Sequence, residues 1–207
     1  MGARYLFSNT NLTLTRKNSL SKGQRLLRLI SSTLDIRAYI HLLRLVNYFN
    51  YTHAIPRRKL FVGKNVSISP TASFSYPERI EIAENVEIGP FCTLWAGPST
   101  GRIVLQKNCL LGPNVLITVA NYRFNDGSPV TNQLMDEQDV ILGVDVWIGA
   151  GSIILPGVSI GDGTIIGAGS VVTRSLEKGV VAAGCPAKPV GTRPNYIEES
   201  RLDSIDF

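Results

Sequence analysis

From residue 62 onward an aliphatic or aromatic residue returns every six positions: Val62, Ile68, Phe74; Ile82, Ile88, Leu94; Leu105, Leu111, Ile117; Leu142, Ile148, Ile154; Ile160, Ile166, Val172. The fifth place of each hexad is usually small or β-branched, as at Ala72, Cys92, Val115, Ser152 and Ser170. The second is often glycine, as at Gly89, Gly112, Gly149 and Gly167. An amphipathic helix needs apolar returns at three and four residues, and these are missing. A period of six describes a short strand followed by a turn. The large residue points inward, the small one fits inside a corner, and glycine relieves the turn backbone. A single hexad cannot bury its apolar face, but stacked coils can.

The places where the period breaks give the coil size. Two extra residues separate Phe74 from Ile82, five separate Leu94 from Leu105, and nineteen separate Ile117 from Leu142. Each break follows a third hexad. The fifteen hexads therefore make five triangular coils, with insertions 75–81, 95–104 and 118–141 all at one corner. Insertions that gather on one face often mark the functional face, and 118–141 is too long for a plain connection. Leu176 falls at the fifth place of the last hexad and is too large for it, so the coils are expected to end there.

Upstream of the repeat, residues 20–50 read as helical, with Leu26, Leu27, Ile30, Leu34, Ile40 and Leu43 alternating with basic positions. Two readings stand. The helix caps the open edge of the first coil, as solenoids require, or it lies on a bilayer surface as a basic amphipathic element. The expected division is a basic N-terminal helical arm over 1–60, a β-helix domain over 61–190 with the long loop 118–141, and a tail over 191–207.

Charge sharpens this division. Residues 1–60 carry 11 Lys/Arg and one acid, Asp35, whereas 61–207 carry 10 Lys/Arg and 15 acids. The basic arm suits an acidic partner such as a membrane or an anionic glycan, and the acidic body argues against nucleic acid. Three cysteines, Cys92, Cys109 and Cys185, with no C-x-x-C spacing, suggest unpaired thiols in a reducing compartment. The first 15 residues lack the apolar core of a secretory signal, and arginines interrupt every long apolar run, so a cytoplasmic protein is expected. No metal is expected: there is no histidine after His53, which removes the metal site that a prism-shaped carbonic anhydrase would need. The glycines at 161, 163 and 167 follow the hexad period, with no helix after them, so they are not a nucleotide loop.

The run Val144–Lys188, VDVWIGAGSIILPGVSIGDGTIIGAGSVVTRSLEKGVVAAGCPAK, closely resembles hexapeptide-repeat acetyltransferases, which include the galactoside and maltose enzymes and those of polysaccharide and lipopolysaccharide synthesis. The resemblance covers about residues 60–190. It implies an all-β fold, a left-handed parallel β-helix with an N-terminal helical segment, assembled as a homotrimer. It further implies acetyl-coenzyme A as co-substrate in the groove between subunits and a carbohydrate acceptor beside the long loop.

Site residues carried over from the resemblance are Ala150 and Ala168 along the pantetheine arm, Thr173 and Arg174 towards the nucleotide, and Lys188, with Arg193 assisting, near the phosphates. Trp147 corresponds to the tryptophan of the acyl pocket; a subunit contact is its other reading.

One departure matters. The family usually carries a histidine in the long loop as general base, and Tyr122 stands at that place. Tyrosine is a poor base near neutral pH, because its ordinary pKa is about 10, although its hydroxyl can orient an acceptor. Asn121 can do the same, and Asp126 is the loop carboxylate that the sequence offers as proton acceptor. Three functions follow: O-acetylation of a sugar or glycan precursor, N-acetylation of an amino-sugar nucleotide, or a non-catalytic binding scaffold.

Overall fold

The computed structural model describes residues 20–193, in two compact units that divide between Leu45 and Val46. Helix α1 (Lys22–Thr33) starts from a reciprocal cap. The Ser21 hydroxyl accepts from the Gln24 amide at 3.3 Å, and the Gln24 side chain accepts from the Ser21 amide at 2.9 Å. Helix α2 (Ile36–Phe49) follows Asp35, whose carboxylate accepts the Arg37 amide at 2.9 Å. No residue of either helix is buried. In the second unit a π-helical turn, Asn50–Ala54, passes into a short 3-10 turn, Pro56–Arg58. The Arg57 guanidinium donates to the carbonyls of His53 and Ser69, tying this lead-in to the first coil.

The hexads then wind into three parallel sheets. The first holds Phe61–Val62, Ile80–Ile82, Ile103–Leu105, Val140–Leu142 and Ser159–Ile160. The second begins with Ser67–Ile68 and stacks Glu87–Ile88, Leu110–Leu111, Trp147–Ile148 and Ile165–Ile166. The third holds Ser73–Ser75, Thr93–Trp95, Leu116–Thr118, Ile153–Ile154 and Val171–Val172. Each expected inward residue from Phe74 to Val172 is buried. So are the small corner residues, including Ser152, Thr164 and Ser170, whose hydroxyls donate to backbone carbonyls. All three insertions leave the third sheet and re-enter the first, at one corner.

Cys92 and Cys109 fill corners, each thiol donating to a carbonyl at 3.1 Å. Burial pushes the Cys92 thiol up and the Cys109 thiol up to about 12. Thiols held protonated in this way are packing groups, not nucleophiles.

The coils do not stop at Leu176. That residue pairs with Ile160 of the first sheet and packs, partly buried, on the core. Strand Val180–Gly184 then adds to the second sheet beside Ile165–Ile166, and Ala187–Thr192 returns antiparallel to it. The cause is a register slip. The step from Val172 to Leu176 is four residues instead of six, so Leu176 takes an inward place rather than a corner place. The next step, to the buried Ala182, is six again.

The corner between the first and second sheets carries a ladder that the period did not reveal. Asn65, Asn85, Asn108 and Asp145 stack there with φ of 55°, 57°, 60° and 57°. Asn and Asp tolerate this left-handed backbone better than other non-glycine residues. The Asn65 amide donates to Asn85 at 3.3 Å, and the Asn85 amide to Asn108 at 3.1 Å.

Candidate functional site

The long insertion folds as a two-stranded antiparallel ribbon, Ala120–Tyr122 against Met135–Glu137. At its tip the Asp126 carboxylate accepts the Ser128 amide at 2.8 Å and hydroxyl at 2.6 Å, closing the turn. Those bonds hold the Asp126 carboxyl below its ordinary range. At its base the Glu137 carboxylate sits in a nest of amides from the second insertion. It accepts from Ser99 at 3.1 Å, Thr100 at 2.7 Å and Gly101 at 2.7 Å, and from the Ser99 hydroxyl at 3.0 Å. Burial pushes the Glu137 carboxyl up, but the four donors outweigh it and bring it down to about 2. The Arg102 amide donates to Asp139 at 2.8 Å, and Arg79 of the first insertion donates to the Gly97 carbonyl at 2.6 Å. The three insertions are thus bolted together.

This anchoring predicts that Glu137→Gln loosens the ribbon. A charge-assisted bond contributes about 1.5–3 kcal/mol. The expected loss is therefore about 2 kcal/mol in thermal or denaturant unfolding. The sign with pH follows from the depressed carboxyl: the advantage of Glu over Gln is full above the unfolded value of 4.5 and disappears as pH falls through about 2. An advantage that grew on acidification would contradict the nest.

Between ribbon and coil lies a cleft of about 510 Å³, lined by Asn121, Tyr122, Arg123, Phe124, Asn125, Asp136 and Gln138 and, from the coils, by Leu155, Pro156 and Thr173. Asn121 and Tyr122, the two expected orienting groups, are among its lining residues, and Asp126 is not. The carboxylate that lines it is Asp136, which the ribbon register sets opposite Asn121. It accepts two bonds from Arg123, from Nε at 2.7 Å and from a terminal nitrogen at 2.6 Å. That pairing pushes the Arg123 guanidinium up. The turn sequence Asn125–Ser128 signals a reversal, but counting outward from it sets 120–122 against 131–133; the 3-10 turn Val130–Asn132 lengthens the return, so that 135–137 pair instead and no sequence signal points to Asp136.

The remaining expected residues fall in two other places. Ala150 and Ala168 stand exposed, one coil apart, on the corner between the second and third sheets, where the Gly169 amide donates to the Ala150 carbonyl at 2.8 Å. Lys188, exposed, lies opposite Ala183 at the same edge of the second sheet. Trp147, half-exposed, lines a second cleft of about 360 Å³ with Asp145 and Arg193. Arg193 does not join Lys188: it lies beyond the other end of strand Ala187–Thr192, five residues or roughly 16 Å away. Its guanidinium is held at 2.7 Å by Asp145, where it ends the asparagine ladder. Arg174 is exposed beside Thr173. His41 lies in α2 and His53 in the π-turn, where it meets Thr52 at 2.6 Å; neither lines the cleft. Among the described residues no group of three His, Cys, Asp or Glu side chains is placed to hold a metal.

Residues 139–174 match the family model for the bacterial transferase hexapeptide (six repeats). Galactoside O-acetyltransferase of Escherichia coli (strain K12) is 34% identical over 134 residues, which are 62% of this chain and 62% of that relative, less than two thirds of its length. The dTDP-4-amino-4,6-dideoxy-D-glucose acyltransferase of Escherichia coli is 31% identical over 169 residues, covering 70% of this chain and 86% of the relative. A solved galactoside acetyltransferase in complex with coenzyme A superposes with a TM-score of 0.56 at 26% identity, covering 77% of this chain and 85% of that one.

Proposed function

This chain belongs to the hexapeptide-repeat acyltransferases, and from that premise we propose that it transfers an acetyl group from acetyl-coenzyme A to a hydroxyl of a sugar or glycan precursor in polysaccharide or lipopolysaccharide synthesis. The observation that carries this is the cleft lined by Tyr122, Asn121 and Asp136 of the ribbon and by Thr173 of the coils. The small exposed corner at Ala150 and Ala168, ending near Lys188, fits an extended pantetheine arm that leads to phosphates. When bound, the thioester supplies the acetyl group, and the chain's own residues handle the acceptor. Tyr122 and Asn121 orient the hydroxyl by hydrogen bonding. Its oxygen bonds to the acyl carbon, the carbon–sulfur bond breaks, and the hydroxyl proton passes to Asp136, which Arg123 holds in place.

A homotrimer belongs to the same reading. Expected site residues occupy three separate places on one chain, so a neighbouring subunit is needed to unite them. The outward faces are also apolar where a monomer would be polar. Leu110, Trp147 and Ile165 stack on the second sheet, and Leu116, Ile153 and Val171 on the third.

Thiol release from acetyl-coenzyme A, measured against glycan hydroxyls and amino-sugar nucleotides, tests the proposal. Turnover with hydroxyl acceptors is expected, and no turnover with any acceptor overturns it. Turnover with amines alone would support the second reading, amino-sugar N-acylation. That reading draws on the 31%-identical aminosugar acyltransferase and on a cleft with no histidine in its lining. Tyr122→Phe should lower turnover about tenfold, the size of one lost hydrogen bond. Asp126→Asn should change it less than about twofold, because that carboxylate only closes a turn. Steady-state rates under saturating acetyl-coenzyme A check both.

A further inference from the structure

We propose that α1 and α2 form a docking surface for the anionic headgroups of a lipid bilayer, lying in the plane of the interface. The first ground is exposed apolar surface. In α1, Leu26, Leu27, Leu29 and Ile30 are 57%, 69%, 63% and 49% exposed. In α2, Ile40, Leu42, Leu43, Leu45, Val46 and Phe49 are all exposed as well. Side chains of this size are seldom left together in water without a partner.

The second ground is how these residues are arranged. At about 100° per residue, the four apolar side chains of α1 fall within an arc of roughly 160°, with Gln24, Arg25, Arg28, Ser31 and Ser32 on the opposite side. In α2 the polar arc is narrower and holds Arg37, His41 and Arg44. Both helices are therefore sided, as an interfacial helix must be. Neither is long enough to cross. Twelve and fourteen residues extend about 18 and 21 Å, against the roughly 30 Å of a hydrocarbon core. Among the described residues no helix is long and apolar enough to span a membrane.

Charge selects the occupant. Residues 20–59 carry eight Lys/Arg and one acid, whereas residues 61–193 carry nine Lys/Arg and eleven acids. Five of these cations, Lys22, Arg25, Arg28, Arg37 and Arg44, lie on the two helices, and a second copy docked there would bring five further cations against the first five. An anionic bilayer complements them, and the apolar face enters the headgroup boundary while the arginines stay at the phosphates.

Flotation of the full chain with phosphatidylcholine vesicles containing about 30% phosphatidylglycerol tests this without any reference to turnover. The protein should float with these vesicles at about 0.1 M salt, at least fivefold less at about 0.5 M, and not with pure phosphatidylcholine. The quadruple change Arg25→Glu, Arg28→Glu, Arg37→Glu, Arg44→Glu should reduce flotation at least tenfold with the melting temperature of the solenoid unchanged. Leu26→Gln with Leu43→Gln should do the same at unchanged charge. No flotation of the unaltered chain, or flotation indifferent to salt and charge reversal, overturns the proposal. So does a fall in oligomer mass for the leucine variant in the absence of vesicle binding, which would make the helices a self-association surface.

Discussion

Asp136→Asn is expected to lower turnover with a hydroxyl acceptor by 10²–10⁴-fold, the usual cost of removing a group that accepts the reacting proton. Asn matches Asp in shape, and the backbone register Asn121↔Asp136 does not depend on the side chain, so the ribbon should persist. The ion pair with Arg123 is exposed on both sides, at 52% and 55%, and a solvent-screened pair of this kind adds little to fold stability. Fold stability should therefore hardly change. Arg123→Gln separates chemistry from support, because it breaks the same pair and leaves the carboxylate. Its effect should be smaller by at least about tenfold. Equal losses in the two variants would make Asp136 a structural partner of Arg123 and remove it from the chemistry. With an amine acceptor the Asp136→Asn loss should shrink, since an amine reaches its neutral form in solution.

Gly149→Ala is expected to cost about 3 kcal/mol of stability, a melting-temperature drop of roughly 6–12 °C. A Cβ at Gly149 would lie 2.5 Å from the Ala168 amide nitrogen and 2.7 Å from the Ile166 carbonyl oxygen. Both are backbone atoms of the next coil, and the Gly149 amide donates to that same carbonyl at 2.7 Å. Neither can yield without breaking the stack. Gly151, two residues on in the same turn, has φ of +69° and nothing within 4 Å of its would-be Cβ. Gly151→Ala should cost only the left-handed strain of one residue, about 1 kcal/mol. Paired thermal melts check the order. A larger loss at Gly151 would mean that backbone conformation, and not coil spacing, limits this corner.

Those two glycines illustrate what could be read in advance. Both stand in the motif Trp147–Ser152, and the sequence marks them only as turn residues. Which one is closed by a neighbouring coil and which by its own backbone depends on atoms 17–19 residues away along the chain, at Ile166 and Ala168. Spacing alone carries more for the expected coenzyme corner. Ala150 and Ala168 differ by three hexads, so they must share a corner, and they do. Trp147 and Arg193 share the second cleft for a different reason, the antiparallel return of Ala187–Thr192, which no period encodes.

By itself the sequence determined the solenoid. A hexad is local, its large and small places alternate within six residues, and stacking follows from burying them. The three-sided coil, the buried line from Phe74 to Val172 and the single corner of insertions therefore come directly from counting. Tertiary structure decided the rest. The slip at Leu176 was illegible because an aliphatic residue looks the same whether it ends one coil or opens another; only its pairing with Ile160 tells. The ribbon was illegible because its register is held from outside. Glu137 is bound by amides 36–38 residues earlier in the chain, while Asp126 turns away to close the tip. That long-range anchoring places Asp136, and not the nearer Asp126, among the residues that line the cleft.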